Sequence, residues 1–344
     1  MENAGFSHLA FVEINHFACE SLRRNFAPKL VHETDIRTFD FSQIGSVDAI
    51  AGGPPCQPFS LGGLAKAYDD HRDMFPEATR AISELHPRGF VFENVKGLLR
   101  KSFSEYFQYI VLRLTFPTFA KQENEHWKDH LLRLQSLSYH NYNGLKYSVQ
   151  YKLLNAADYG VPQVRERVFI VGIREDVPAV WRWPKPILTK TNWLTIQEAL
   201  KEIPDPLDSH NKIPDHLYIG GARQYPGHTG SPVNLPSKTI KAGAHGVPGG
   251  ENMIRFGDGT VRYLTVYEAK FLQTFPKDYT IVGPWGEAMR QIGNAVPVKL
   301  AEIIGRHLIE VLSTKTGVAV KYKSDSCGNL LVVEKTARKN NKRT

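Results

Sequence analysis

The chain alternates short apolar stretches with amphipathic helical patterns, and this alternation limits its possible folds more than any other sequence feature. Strand-like stretches separated by helical patterns are typical of βαβ units, in which each helix crosses back over a parallel sheet. In order, the segments are a strand at His8–Val12, a helix at Asn15–Phe26, a strand at Val47–Ala51, a helix at Asp73–His86 and strands at Gly89–Glu93, Tyr147–Leu154 and Arg167–Ile173. We therefore expect an α/β fold with a parallel sheet.

Changes in texture along the chain predict its domain boundaries. Residues 1–173 carry the strand signals, interrupted by a long, aromatic and charged helical insertion at 98–145. Proline and glycine cluster in residues 174–262, which predicts loops and short strands. Residues 263–313 return to the first domain, and residues 314–344 form a basic tail. Amphipathic spacing within the returning part predicts helices at Thr265–Phe275 and Val298–Leu312.

The composition excludes several classes of protein. With 344 residues, 42% of them apolar and 23% charged, the chain can bury a core and is not a disordered, collagen-like or coiled-coil sequence. No apolar run approaches the roughly 18 to 20 residues of a membrane helix, and the N-terminus does not read as a signal peptide. We expect a cytoplasmic protein without a membrane partner.

Charge and cysteine usage add two expectations. The net charge is +8, but five of the basic residues lie in the last ten positions, so we expect a solvated basic tail and take the charge as only weak support for nucleic-acid binding. The three cysteines, Cys19, Cys56 and Cys327, include no Cys-x-x-Cys pair, which excludes a disulfide framework and a cysteine zinc site. A cysteine with a functional role would therefore act through the reactivity of its thiol.

The sharpest motif is the segment 52–60, which reads Gly-Gly-Pro-Pro-Cys-Gln-Pro-Phe-Ser and directly follows a predicted strand. Enzymes with α/β folds carry active-site loops at such strand ends. An isolated cysteine is more often a small buried hydrophobe. Burial, however, does not call for prolines on both sides of Cys56, whereas presentation of a nucleophile does.

Three further motifs bear polar residues. Glu93 ends the next predicted strand and is either a solvated acid or a proton donor near Cys56. Strand alternation predicts that Gln163, Arg165 and Arg167 share one face, as a surface ladder or as ligand contacts. The segment 291–297, Gln-Ile-Gly-Asn-Ala-Val-Pro, reads as a turn before the last long helix, where capping alone would explain it.

Taken in order, these four motifs resemble the characteristic blocks of the DNA cytosine-5 methyltransferases, from Glu2 to about Leu312. The resemblance implies a Rossmann-like, S-adenosylmethionine-dependent methyltransferase fold with a smaller, irregular, mostly β target recognition domain at 174–262. It also implies that Cys56 adds to carbon 6 of cytosine, so that carbon 5 accepts a methyl group. Glu93 would contact ring nitrogen 3 and the exocyclic amine, and Arg165 the carbonyl edge or phosphate, with Gln163 and Arg167 supporting the loop.

The same resemblance implies the binding residues. S-adenosyl-L-methionine is the expected methyl donor, and no metal is expected. Its contacts would come from Glu13, Ile14, Asp35, Ile36, Pro55, Met74 and Asn294. Thr239 and Ile240 match a threonine-aliphatic pair of the recognition domain and are expected to bind DNA. The segment Phe59–Asp73 resembles the family's closing loop, with an ordinary exposed loop as the alternative.

The expected partner is double-stranded DNA, bound by a monomer that flips the target base out of the helix. A short chain of this kind resembles a bacterial modification enzyme that protects DNA from a cognate restriction endonuclease. The family's N-terminal glycine loop and first strand are missing, so three explanations stay open: a start upstream of Met1, a truncated gene, or a separate peptide that supplies the strand. A tRNA cytosine-5 methyltransferase and an inactive DNA-binding remnant are the alternative functions.

Overall fold

The computed structural model describes residues 1–55, 73–242 and 252–314, together with the backbone of 318–324 and 330–337. In this part of the chain the helices are α1 (His16–Asn25), α2 (Phe75–Leu85), α3 (Ser104–Thr115), α4 (Trp127–Ser136), α5 (Ile196–Leu200), α6 (Val266–Leu272), α7 (Trp285–Asn294) and α8 (Val298–Leu312). The strands are β1 (Phe11–Glu13), β2 (Val31–Glu33), β3 (Ala49–Gly52), β4 (Gly89–Val95), β5 (Tyr147–Asn155), β6 (Glu166–Arg174), β7 (Ser231–Pro232), β8 (Met253–Arg255), β9 (Val261–Tyr263), β10 (Val318–Ser324) and β11 (Leu330–Ala337).

The chain folds as two compact units that do not follow the predicted domain boundaries. The first unit joins Met1–Thr38, Asn155–Glu166 and Pro184–Gly305. The second unit joins Phe39–Leu154, Arg167–Trp183 and Arg306–Thr344. The predicted domain boundaries at residues 173, 262 and 313 therefore stay a prediction.

The second unit is built on a four-stranded sheet with the order β3-β4-β6-β5. β3 and β4 are parallel, whereas β4 and β6 are antiparallel, so the expected all-parallel sheet is wrong. Only residues 156–165 separate β5 from β6, and so short a connection cannot form the crossover that parallel strands need. The sheet is therefore mixed.

The predicted 98–145 insertion contains α3 and α4, and it completes the core of the second unit. Buried residues of both helices, among them Ile110, Leu114 and Leu131, belong to one hydrophobic cluster with Phe90 and Tyr147 of the sheet. A sheet face must be covered by another layer to exclude water. These helices are consequently an integral layer of the fold.

The first unit contains two small sheets. β1 and β2 form a parallel pair, and β7, β8 and β9 form a three-stranded sheet in the proline- and glycine-rich region. The cluster that fills this unit includes Ile240, Leu272 and Ile292. Residues 174–262 were predicted to be irregular and mostly β; the described part of this region contains the short helix α5 and the short strands β7 and β8, and β9 begins at its end.

The C-terminal region differs from the solvated tail that we expected. β10 and β11 pair antiparallel, with an irregularity between Lys321 and Tyr322. Apolar and polar residues alternate in Val320–Lys323, a period typical of a strand, although the net charge of the region suggested a solvated tail. The tail thus contains a hairpin.

Packing across β4 and β6 yields a stability prediction. Gly172 lies opposite Phe90, and a Cβ built on Gly172 would lie 2.1 Å from the Phe90 ring. Because the ring occupies the space of a side chain, Gly172→Ala should lower the free energy of unfolding by about 1–3 kcal/mol or more, measured by urea denaturation. Gly257→Ala is the control, since no atom lies within 4 Å of its added Cβ. Equal stability of the two variants would contradict this packing.

Candidate active site

The end of β3 leads directly to the predicted nucleophile. β3 ends at Gly52, and Gly53, Pro54 and Pro55 are the last residues described before Cys56. Cys56 itself lies outside the described residues, as does the predicted closing loop except for Asp73. What the structure defines is the backbone that leads to the cysteine.

Glu93 lies next to this backbone. It is the fifth residue of β4 and only 8% exposed. A Cβ on Gly53 would lie 3.6 Å from Glu93 Oε2, so the chain after β3 passes close to the carboxylate. The side-chain amide of Asn94 donates a hydrogen bond to the Pro54 carbonyl over 3.0 Å. The Glu-Asn pair thus packs on the segment that precedes Cys56.

Arg167 forms the closest charged contact of Glu93. Its Nε lies 2.8 Å from Glu93 Oε1, and the two side chains are 14% and 10% exposed. Burial lowers the pKa of Arg167 from its ordinary value, and the charge and hydrogen bond of Glu93 oppose this change. The predicted site residues Glu93 and Arg167 are therefore brought together as a nearly buried ion pair in the second unit.

Arg165 has a different environment from the one that we expected. Its guanidinium is 1% exposed and donates to the carbonyls of Gly293 at 2.8 Å, Ala295 at 3.1 Å and Ile240 at 3.3 Å. The last carbonyls of a helix lack intrahelical donors and lie at the negative end of its dipole. Arg165 thereby caps the end of α7 in the first unit. These contacts do not support the expected direct contact with cytosine.

The three motif residues do not share the predicted face, because strand alternation was extended back to Gln163 and the strand begins only at Glu166. β6 begins at Glu166, so only Arg167 follows its alternation. Gln163 forms an isolated parallel bridge with Ser237 instead. Strand alternation governs side-chain direction only within the strand.

Gln163 takes part in a buried amide chain. Its Oε1 accepts a hydrogen bond from the Ile240 backbone at 3.1 Å, and its Nε2 donates to Oε1 of Gln273 at 3.2 Å. The amide nitrogen of Gln273 then donates to the carbonyls of Ile292 at 2.7 Å and Ala295 at 3.1 Å. This chain reaches the same turn that Arg165 caps.

Gln273 is a member of this amide chain that was not predicted from the sequence. It lies directly after α6 and is fully buried. It follows Ala269 by four positions and therefore continues the apolar face of the predicted helix. A polar residue on that face is the signal that could have identified it.

Thr239 and Ile240 also contact the motif around Arg165. The Thr239 hydroxyl donates to the Val164 carbonyl over 2.8 Å. The Ile240 side chain is fully buried in the core of the first unit, so it cannot be the DNA contact that we expected. Both residues anchor the proline- and glycine-rich region to the loop before β6.

A close backbone contact explains the glycine of the 291–297 motif. A Cβ on Gly293 would lie 2.6 Å from the Ala242 nitrogen and 2.7 Å from the Lys241 carbonyl carbon. Backbone atoms cannot move away as flexible side chains can, so any side chain at Gly293 would separate the two segments. The neighbouring Asn294 is exposed at the end of α7, where a ligand can reach it.

The predicted cofactor residues of the first unit lie at the carboxyl end of the parallel pair β1-β2. Glu13 ends β1, and its carboxylate accepts the backbone N–H groups of Ile14 and Asn15 at 2.9 and 2.8 Å. Ile14 is 65% exposed, which is unusual for an apolar side chain of its size. Asp35 and Ile36 follow the end of β2, and therefore lie at the same edge.

Asp35 is held by a neighbouring cation. The Arg37 guanidinium donates to both of its carboxylate oxygens, and its Nε lies 2.9 Å from Oδ2. These hydrogen bonds keep the pKa of the Asp35 carboxyl below its ordinary value. Asp35 is therefore an ionised hydrogen-bond acceptor at neutral pH.

The remaining cofactor candidates, Pro55 and Met74, adjoin each other in the second unit. The Met74 backbone N–H donates to the Pro55 carbonyl over 3.1 Å. Met74 precedes α2 and is half-buried, whereas Pro55 is exposed.

Cys19 has the properties of a structural cysteine. It is fully buried, and its thiol donates to the Glu13 carbonyl over 3.3 Å. Burial, with a smaller effect of nearby Glu33 and Glu13, raises the pKa of its thiol to about 11. The thiolate is the reactive form of cysteine, so Cys19 is a poor nucleophile.

The described residues contain neither a metal-binding cluster nor a membrane-spanning helix. No group of three or more His, Cys, Asp or Glu side chains among them could hold a metal ion. None of the helices in these parts of the chain is long and apolar enough to cross a bilayer.

Comparison with known structures identifies the fold. A putative DNA modification methyltransferase encoded within an E. coli prophage superposes with a TM-score of 0.63 at 22% identity, over 91% of this chain and 94% of that one. The S. pombe Dnmt2 methyltransferase gives a TM-score of 0.61 at 16% identity, over 91% and 96% of the two chains. The predicted Rossmann-like methyltransferase fold is thus confirmed.

Sequence comparison identifies the family. The type II methyltransferase M.NgoMIV of Neisseria gonorrhoeae is 34% identical over 324 residues, which cover 91% of this chain and 93% of that protein. The type II methyltransferase M.AplI of Arthrospira platensis is 30% identical over 328 residues, or 92% and 85% of the two chains. The profile of the C-5 cytosine-specific DNA methylases matches residues 1–117 and 120–310. Because these matches span nearly the whole chain, it belongs to the C-5 cytosine-specific DNA methylase family.

Proposed function

We propose that the chain transfers a methyl group from S-adenosyl-L-methionine to carbon 5 of cytosine in a specific double-stranded DNA sequence. The observation that carries this proposal is the Glu93–Arg167 pair, whose charged atoms lie 2.8 Å apart. This pair lies beside Gly53 and Pro54, close to Cys56 in the sequence. An acid and a cation next to a potential nucleophile are the groups that such chemistry needs.

Cys56 is the proposed nucleophile. Carbon 5 of cytosine is too electron-poor to take a methyl group directly. Addition of the Cys56 thiolate to carbon 6 shifts an electron pair towards carbon 5 and ring nitrogen 3. Carbon 5 then bonds to the electrophilic methyl group of the donor's sulfonium, and the sulfur leaves as a thioether. Loss of the carbon 5 proton to solvent then restores the double bond and expels the thiolate.

Glu93 and Arg167 are the proposed groups that bind the ring. Glu93 would accept a hydrogen bond from the exocyclic amine and, in its protonated form, donate its proton to ring nitrogen 3, which stabilises the negative charge that develops there when the thiolate adds. Arg167 orients this carboxylate and is the arginine that we now assign to the cytosine carbonyl oxygen. Arg165, with Gln163, becomes a positioning residue, because its donors bind backbone carbonyls.

The cofactor residues fit S-adenosyl-L-methionine. The exposed Ile14 offers an apolar face to an adenine ring, and the adjacent Glu13 carboxylate can accept ribose hydroxyls. The ionised Asp35 can accept an adenine amine. We keep Ile36, Pro55, Met74 and Asn294 as further proposed contacts.

The substrate and biological role follow from chemistry and similarity. A base inside a duplex is out of reach of a thiolate, so the target cytosine has to swing out of the helix. The relatives are named type II methyltransferases. By similarity, we propose that the chain acts as a monomer in the cytoplasm and protects DNA from a cognate restriction endonuclease.

The covalent step can be tested with Cys56→Ser. We expect this variant to lose incorporation of labelled methyl groups into mixed-sequence DNA, because a hydroxyl is far less nucleophilic than a thiolate. DNA that contains 5-fluorocytosine should form a covalent complex with the wild-type chain and not with Cys56→Ser, since fluorine cannot leave as the carbon 5 proton does. Cys19→Ala is the control and should keep both activities.

The outcomes of this experiment separate the alternatives. Methyl transfer to tRNA and not to DNA would favour the tRNA enzyme. Transfer that persists in Cys56→Ser would refute the proposed nucleophile, and no transfer to either substrate would favour the inactive remnant.

A matched pair of variants tests the two arginines. Arg165→Lys should lower the free energy of unfolding by about 2–4 kcal/mol, because one ammonium cannot reproduce the bonds to three carbonyls. Arg167→Lys keeps a charge beside Glu93, so it should stay folded while kcat falls by about 10²-fold. Urea denaturation and steady-state kinetics measure these effects. An Arg165→Lys chain that is stable but inactive would reverse our assignment.

A further inference from the structure

Helix α3 sends one tyrosine to the region of the active site. The hydroxyl of Tyr106 donates a short hydrogen bond to Oδ2 of Asp73. Both side chains are almost completely buried. A buried carboxylate needs hydrogen-bond donors, and bonds to a charged acceptor are among the stronger ones in proteins. The contact therefore fixes Asp73 relative to the helical layer over the sheet.

Asp73 in turn organises the start of α2. Its Oδ1 accepts the backbone N–H of Phe75 over 3.1 Å, which satisfies one of the free donors at the helix N-terminus. Between these residues, the backbone N–H of Met74 donates to the Pro55 carbonyl over 3.1 Å. The stretch Asp73–Phe75 thus accepts a hydrogen bond from Tyr106 of α3 and donates one to the carbonyl of Pro55, the residue before Cys56.

The segment before Cys56 is accordingly held from two sides. Asn94 of β4 binds the Pro54 carbonyl, and Met74 binds the Pro55 carbonyl. The first contact comes from the Glu-Asn motif beside Glu93. The second depends on the stretch that Tyr106 and Asp73 hold in place.

We propose that Tyr106 is a positioning residue for methyl transfer, which acts through Asp73 and Met74 on the backbone that presents Cys56. This inference rests on the proposed function, since it takes Cys56 as the nucleophile. A displacement of about 1 Å between reacting atoms costs on the order of 10²-fold in rate. A buried tyrosine that acts through Asp73 and Met74 would therefore affect catalysis through geometry.

Helix α3 offers a matched control. Tyr109 is as buried as Tyr106, and its hydroxyl lies 3.0 Å from Nδ1 of His130 on α4. Replacing either tyrosine by phenylalanine removes one buried hydroxyl from the same helix. Only the Tyr106 hydroxyl is bonded to Asp73, so the comparison separates positioning from general stability.

The test compares Tyr106→Phe with Tyr109→Phe in the full chain. We expect kcat for DNA methylation to fall about tenfold or more in Tyr106→Phe, with KM for DNA within about twofold of wild type and a melting temperature like that of Tyr109→Phe. Tyr109→Phe should keep the wild-type kcat. Equal kcat in the two variants would overturn the proposal.

A second measurement does not depend on activity. Hydrogen exchange followed by mass spectrometry should show faster exchange of the Met74 and Phe75 amides in Tyr106→Phe and not in Tyr109→Phe, because those amides bind Pro55 and Asp73. Unchanged exchange would refute the positioning role. If the wild-type chain transfers no methyl group, the proposed function fails, whereas the exchange comparison still decides whether Tyr106 holds this stretch.

A double variant gives the final check. Asp73→Asn removes the charge of the acceptor and should also lower kcat. Since both residues act through one bond, Tyr106→Phe combined with Asp73→Asn should fall little further than the worse single variant. Losses that multiply would mean that the two side chains act independently, and would overturn the proposed route.

Discussion

The first unit depends on the guanidinium of Arg165. A buried charge is tolerated only when hydrogen bonds replace its water, and here three backbone carbonyls do so. Two of them, from Gly293 and Ala295, end α7, and the third comes from Ile240 in the proline- and glycine-rich region. One side chain therefore fixes three segments: the loop before β6, the proline- and glycine-rich region and the turn before α8.

The residues around Arg165 reinforce this arrangement. The amides of Gln163 and Gln273 link the same three segments through bonds of 2.7–3.2 Å. The absence of a side chain at Gly293 lets residues 241–242 approach α7 within contact distance. Motifs that look like separate signatures in the sequence are thus parts of one buried cluster. A substitution in any of them is expected to act first on folding.

Sequence patterns predicted those elements in which the periodic pattern extends over many residues. Val298–Leu312 was predicted with its observed bounds, because fifteen residues of amphipathic spacing define a helix well. The direction of β6 was missed, because hydrophobic patterning carries no information about strand orientation, and the short connection of residues 156–165 is the signal that could have indicated it. Arg165 was predicted to share a strand face with Arg167, and this was wrong because the alternation was extended to three residues before the strand begins. The β10–β11 hairpin was missed because basic charge outweighed a short alternating pattern.

The contribution of the Glu93–Arg167 pair to stability does not by itself explain why the pair is present. Burying two charges costs about as much as their attraction returns, so such a pair adds little stability compared with apolar residues of the same size. Its value lies in orientation, because a carboxylate held by a planar guanidinium presents its remaining lone pairs in fixed directions. A cytosine ring whose exocyclic amine donates to this carboxylate is held in one orientation, so the site needs no reorganisation while charge develops on the ring. Stability therefore does not account for this pair, which supports its proposed role in orienting the cytosine ring.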